Sequence, residues 1–218
     1  MKKFILASAV MGATALGIMA FKPVARPVTG DKPATASNSN NATRFTKWSL
    51  DKVHSNVKFT ITHMVVSEVD GTFKLFDGSM EHTKPDYSDA KITFTVDVNS
   101  INTDNENRDK HLKSDDFFNA EKFPQMKFES TAFKPLGNNK YKLEGNLTIR
   151  DVTKPVSFDV SYGGTINTQR GAKAGFKAKT TINRFDYNLK WDRATETGGL
   201  VVSKEVDITV NVELNEAK

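Results

Sequence analysis

Eight stretches of this chain read as strands, nearly all of them setting apolar residues at every second position, and that periodicity admits few folds. Val57, Phe59 and Ile61 alternate with Lys58, Thr60 and Thr62, and Ile92, Phe94, Val96 and Val98 alternate with Thr93, Thr95 and Asp97. The spacing recurs in Met126 and Phe128, in Tyr141, Leu143, Leu147 and Ile149, and in Val156, Phe158, Val160 and Tyr162. It returns in Phe176, Ala178 and Ile182, and last in Val206, Ile208, Val210, Val212 and Leu214. A period of two puts each apolar set on one side of a sheet. The polar partners, rich in Thr, Lys and Asp, suit an antiparallel sheet with one wet face. Eight such strands can hide their apolar face by closing on themselves, and fifteen Phe make that face large. The chain therefore reads as all-β, an eight-stranded antiparallel β-barrel with strands at 53–62, 70–80, 91–99, 124–132, 139–150, 154–163, 172–184 and 203–214.

Turn chemistry supports these divisions. Gly137-Asn138-Asn139, Gly163-Gly164 and Gly198-Gly199 stand between strands, where positive φ is often needed, and Asp151 begins another tight connection. One segment stays ambiguous, because from Thr72 to Met80 the residues Phe73 and Leu75 point one way while Phe76 and Met80 point the other.

Between strands three and four the alternation stops. Asn99 to Phe123 is polar and too long for an idle hairpin loop. Ser100 can open a helix, Ser114 has the form of an N-cap before Asp115 and Asp116, and Phe117, Phe118 and Phe123 can pack the segment on one end of the barrel. It reads as a helical or loop lid.

Lys2 and Lys3 precede an apolar run from Phe4 to about Ala20, the pattern of a secretory signal peptide over residues 1–20. Residues 21–47 are largely Asn, Ser, Thr, Ala and Pro, a composition too poor in apolar surface to fold, and so read as a linker before a domain at 48–214. There is no Cys, so the domain has neither disulfides nor thiolate metal sites to lean on. Loss of Lys2 and Lys3 lowers the net charge from +5 to +3. With lysines scattered and no arginine-rich run, nucleic acid is not an expected partner.

Signals for catalysis or metal binding are weak. Asp104, Glu106 and Arg108 occupy alternate positions of a calcium-loop register, but Arg replaces a ligand and the required Gly is missing. His54, His63, His82 and His111 lack the spacing of a zinc site. No G-x-S-x-G elbow or Gly-rich phosphate loop occurs, so neither enzyme nor metal protein is expected.

The run from Asp51 through His54, Val57, Phe59 and Ile61 to His63, followed by Ser67, Gly71, Phe73 and Gly78, closely resembles the opening of the YceI-like family. Ser100 to Phe118, Lys122-Phe123-Pro124, Phe128-Glu129-Ser130-Thr131, Leu147 to Val156, and Ile182 to Trp191 extend the resemblance across residues 48–213. Asp151 and Asn188 depart from family glycines, and both tolerate left-handed backbone. The resemblance implies an elongated, lipocalin-like barrel exported to the bacterial periplasm. Its lumen would hold an isoprenoid lipid, of polyprenyl or quinone type, with no other cofactor. Val57, Phe59, Ile61, Phe94, Val96, Met126, Phe128, Phe158 and Phe176 would line that lumen, and His54, His63, Arg108 and His111 would meet a headgroup at the mouth. Transient membrane contact and a homodimer are compatible with this reading. An enzyme acting on a small lipid headgroup and a stress-protective domain with a filled core are the alternatives.

Overall fold

The computed structural model describes residues 45–193 and 201–217. The expected signal peptide, the expected linker up to residue 44 and the expected Gly198-Gly199 turn lie outside them. The described residues hold β1 (Thr46–Leu50), β2 (Asn56–His63), β3 (Ser67–Phe73), β4 (Phe76–His82), β5 (Lys91–Asp97), β6 (Ile101–Asn102), α1 (Glu106–Lys113), β7 (Gln125–Gly137), β8 (Lys140–Ile149), β9 (Val152–Thr168), β10 (Gly171–Asn183) and β11 (Val202–Glu216). Short 3-10 turns occupy Val98–Ser100 and Arg184–Tyr187.

These strands form a closed antiparallel barrel of eight lines. β11 pairs with β1 near Leu214 and with β2 from Val202 to Asn211, so β1 and β2 are two halves of one line parted by residues 51–55. β4 and β3 form the next line, and β5 and β6 the third. β7, β8, β9 and β10 then lead back to β11.

The breaks resolve the ambiguous segment. Residues 74–75 reset the alternation between β3 and β4, so Phe73 and Met80 are both buried while Leu75 is 60% exposed. Two turn assignments need correction. Gly163 and Gly164 are inside β9, where the register slips opposite Gly175 and Phe176; they form a bulge, and the chain reverses only between Thr168 and Gly171. At the β8–β9 turn the left-handed residue is Arg150, at φ 55°, rather than Asp151.

The large aromatic residues are accommodated along the wall. Phe59 stands opposite Gly71 and Phe94 opposite Gly78. A Cβ on Gly145 would lie 2.4 Å from the Phe128 ring and 2.5 Å from the Glu129 carbonyl oxygen, and one on Gly71 would lie 2.1 Å from the Phe59 ring. Each ring thus lies over a glycine of the neighbouring strand and lines the lumen without crossing it.

One end is plugged. Tyr87, from the β4–β5 loop, packs on His82, Tyr162 and Phe176 with ring centroids 4.6, 5.6 and 5.6 Å away, and Phe133 stacks on Tyr141 at 4.5 Å. The Trp48 indole N–H donates to His82 Nε2 at 2.9 Å, so Nδ1 carries the proton that reaches the Lys84 carbonyl at 2.8 Å. Burial pushes the Tyr87 phenol up to about 12.

The break between β1 and β2 is held by charge. Asp51 accepts the backbone N–H groups of Val53 and His54, and the Lys173 ammonium lies 3.0 Å from Asp51 and 2.6 Å from Glu213. The His54 ring at 3.1 Å and then Lys173 hold the Asp51 carboxyl well below the usual carboxylate range.

Two outcomes follow from this wall. Gly145→Ala should destabilise the barrel by about 1–3 kcal/mol, since the Glu129 carbonyl cannot swing away, whereas Gly175→Ala, whose Cβ would meet nothing within 4 Å, should be far milder; denaturant midpoints check both. Because Asp51 has a depressed folded pKa, its contribution to stability is complete above the unfolded carboxylate value near ~3.9 and fades as pH falls below it. Asp51→Asn should therefore lower stability at neutral pH and flatten the acid limb of a melting-temperature–pH series, and an unchanged acid limb would contradict this role.

Candidate functional site

The lumen contains two adjoining cavities. One of about 340 Å³ lies toward the capped end and one of about 160 Å³ toward the aromatic plug, and Val57, Met126, Ile149 and Ile208 line both. Phe59 and Ile61 face the first; Phe94, Val96, Phe128, Phe158 and Phe176 face the second. The nine apolar positions predicted for the lumen thus come together along one tube.

The cap is the polar segment between β5 and β7, differently built from the sequence expectation. α1 begins after Asn105, whose side chain accepts the Arg108 N–H at 3.0 Å. Ser114 ends that helix, donating from its backbone and hydroxyl to the His111 carbonyl, while its own carbonyl accepts the Phe117 and Asn119 N–H groups and opens the turn at residues 115–118. Phe117 is buried, and Phe118 meets Phe73 edge-on at 6.0 Å. Two arginines fasten the rim. Arg150 Nη1 donates to the carbonyls of Asp115, Phe117 and Asn188 at 3.1, 2.8 and 3.1 Å. Arg184, 3% exposed, donates to the carbonyls of Leu189, Trp191, Val202 and Ser203, and burial lowers its pKa.

Polar groups gather at this end. Arg108 lines the larger cavity; its Nε donates to Thr103 Oγ1 at 2.8 Å and its Nη2 to the Thr103 carbonyl at 2.6 Å. The Thr103 hydroxyl donates to Asp109 at 2.6 Å, so the guanidinium is braced from behind. His111 bonds Asp116 at 2.8 Å and meets Phe117 and Trp191 edge-on at 5.1 and 5.5 Å. His63 continues the inward face of β2 into the same cavity. Among the described residues, β3 pairs over residues 67–71 with β2 alone, because β6 reaches only Thr72 and Phe73.

His54 is a correction. It lies in the 51–55 break, with its side chain 61% exposed against Asp51, and lines neither cavity. Its triad with Asp51 and Glu213 has metal-like spacing, but the Lys173 ammonium already faces both carboxylates. Sequence reading missed Thr103, Arg184 and Trp191. All three were visible only as members of the family-like blocks.

Comparison with known proteins agrees with this architecture. A family model described as the YceI-like domain matches residues 48–214. A UPF0312 protein of Staphylococcus epidermidis is 38% identical over 172 residues, covering 78% of this chain and 98% of that protein. The Campylobacter jejuni YCEI protein superposes with a TM-score of 0.63 at 34% identity, over 78% of this chain and 97% of that one. A polyisoprenoid binding domain from Saccharophagus degradans, implicated in plant cell wall breakdown, shares the fold at a TM-score of 0.57 and 14% identity, over 78% and 98% of the two chains. In each of these the matched region covers nearly the whole of the other chain. By its matched domain, its relatives and its barrel, this chain belongs to the YceI-like family.

Proposed function

We propose that this protein is exported to the periplasm through its N-terminal segment and carries a long isoprenoid lipid, of polyprenyl or quinone type, without transforming it. The observation that carries the reading is the pair of adjoining apolar cavities along the barrel axis, closed by aromatic rings at one end and edged with polar groups at the other. β9 alone spans 17 residues, and at about 3.3 Å per residue such strands build a tube suited to a chain rather than a compact metabolite. At roughly 0.3 kcal/mol per heavy atom, a chain of about 40 carbons supplies about 12 kcal/mol, enough for nanomolar affinity. Burial of the tail then sets affinity, while His63, Arg108 and His111 orient the headgroup. The Saccharophagus domain with the same fold is a polyisoprenoid binder, which supports this class of ligand. The enzymatic alternative loses one of its four groups, since His54 stands away from the mouth.

Organic extraction of the purified native protein followed by mass spectrometry tests the proposal. It should release one isoprenoid species, recovered unchanged after incubation. An empty extract or a modified lipid would overturn it. Phe94→Asp, which places an unpaired charge against Phe76 inside the tube, should abolish retention, and a well-folded Phe94→Asp protein that keeps its lipid would remove Phe94 from the lumen. Arg108→Ala should weaken binding by only about 1–3 kcal/mol in a titration, the worth of one charge-assisted contact.

A further inference from the structure

The loop joining β2 to β3 has a composition that neither its backbone nor water favours. Met64, Val65 and Val66 are 49%, 81% and 85% exposed, three consecutive apolar side chains at the tip of a hairpin. Met64 and Val65 also hold left-handed backbone, at φ 51° and 65°. For a β-branched residue that conformation is a costly outlier, and Asn or Gly would satisfy it freely while also suiting solvent. The fold does not call for these side chains. None of the three belongs to the core or lines either cavity. Strain combined with apolar exposure points to something outside the barrel that takes these groups up.

The position of the tip narrows the occupant. Met64 follows His63 and donates its N–H to the Val201 carbonyl at 2.8 Å, and both His63 and Val201 line the larger cavity. The tip therefore stands at the mouth, beside the β3 edge over residues 67–71, which among the described residues carries no further strand. Three side chains are far short of the ~20–30 residues per side of a stable protein interface, which argues against a second copy or another protein. They suit the boundary between headgroups and acyl chains, where small apolar wedges insert. Exposed charges of both signs stand in the neighbouring segments, Lys204 and Arg193 beside Glu68, Asp192 and Glu205, so insertion rather than attraction to anionic lipid would drive the contact.

We infer that Met64-Val65-Val66 is a membrane-docking tip that seats the barrel mouth on a lipid bilayer. This deepens the carrier reading, on which its purpose rests: a docked mouth lets an isoprenoid tail pass between bilayer and lumen without crossing water.

Co-sedimentation with phosphatidylcholine vesicles free of isoprenoid tests the tip apart from the lumen. The barrel from residue 41 onward is used, because relatives consist of little else and the apolar N-terminal run would bind vesicles by itself. The unaltered barrel should sediment with vesicles, and Val65→Asn with Val66→Ser should reduce that by at least about tenfold. The variant should melt no lower, since Asn relieves the left-handed strain. Equal sedimentation of the two proteins, no sedimentation of the unaltered barrel, or a dimer abolished by the variant would overturn the inference. Tip-dependent vesicle binding by a barrel that never yields an isoprenoid would sink the carrier reading and leave the docking tip standing.

Discussion

A closed barrel with an empty interior opposes the tendency of protein cores to fill to near-crystalline density, and the Phe-over-Gly contacts show how this one resists it. Phe59, Phe94 and Phe128 are among the largest inward residues, and each covers a glycine instead of meeting its counterparts across the lumen. The rings gain burial against the wall, and the axis stays open. Had those glycines carried side chains, the rings would have to turn inward and the tube would become an ordinary core.

Holding such a wall requires order at both ends, and the two ends use different chemistry. Aromatic rings fill the plugged end, where the Trp48 and Tyr87 polar groups find side-chain partners in His82 and Thr165. The cap instead contains irregular backbone, whose carbonyls must be satisfied without a sheet. Arg150 and Arg184 collect seven carbonyls at this end between them, two from the cap, three from residues 188–191 and two from the start of β11. Guanidinium suits this task because its fixed fork of donors serves several acceptors at once while staying charged.

The barrel was legible in the sequence wherever a strand is buried on one face, because period two survives any tertiary context. It was not legible at the interruptions. Residues 51–55, 74–75 and 98–100 each reset the alternation, and the pairing partner that fixes such a reset is far away in the chain. His54 was misplaced for that reason: counted as part of a continuous strand, it belongs to a break. Gly163-Gly164 signals a turn or a bulge equally well, and only the register against β10 separates them. His63, Arg108 and His111 do share one end of the lumen, but the Thr103–Asp109 brace and the Arg184 clamp depend on buried carbonyls that no residue pattern announces.

The asymmetry of the ends also sets a direction for any chain held inside. A lipid tail meets only apolar wall from Val57 to the rings of Phe133 and Phe176, and nothing there rewards a polar group. Burying a headgroup at that end would strand its hydrogen bonds at a cost of about 2–7 kcal/mol, while placing it near Arg108 and His63 strands none. A tail-first arrangement is favoured without a specific contact to enforce it. The same argument explains why the apolar tip at residues 64–66 belongs at the mouth: entry and departure are needed only where the headgroup stays wet.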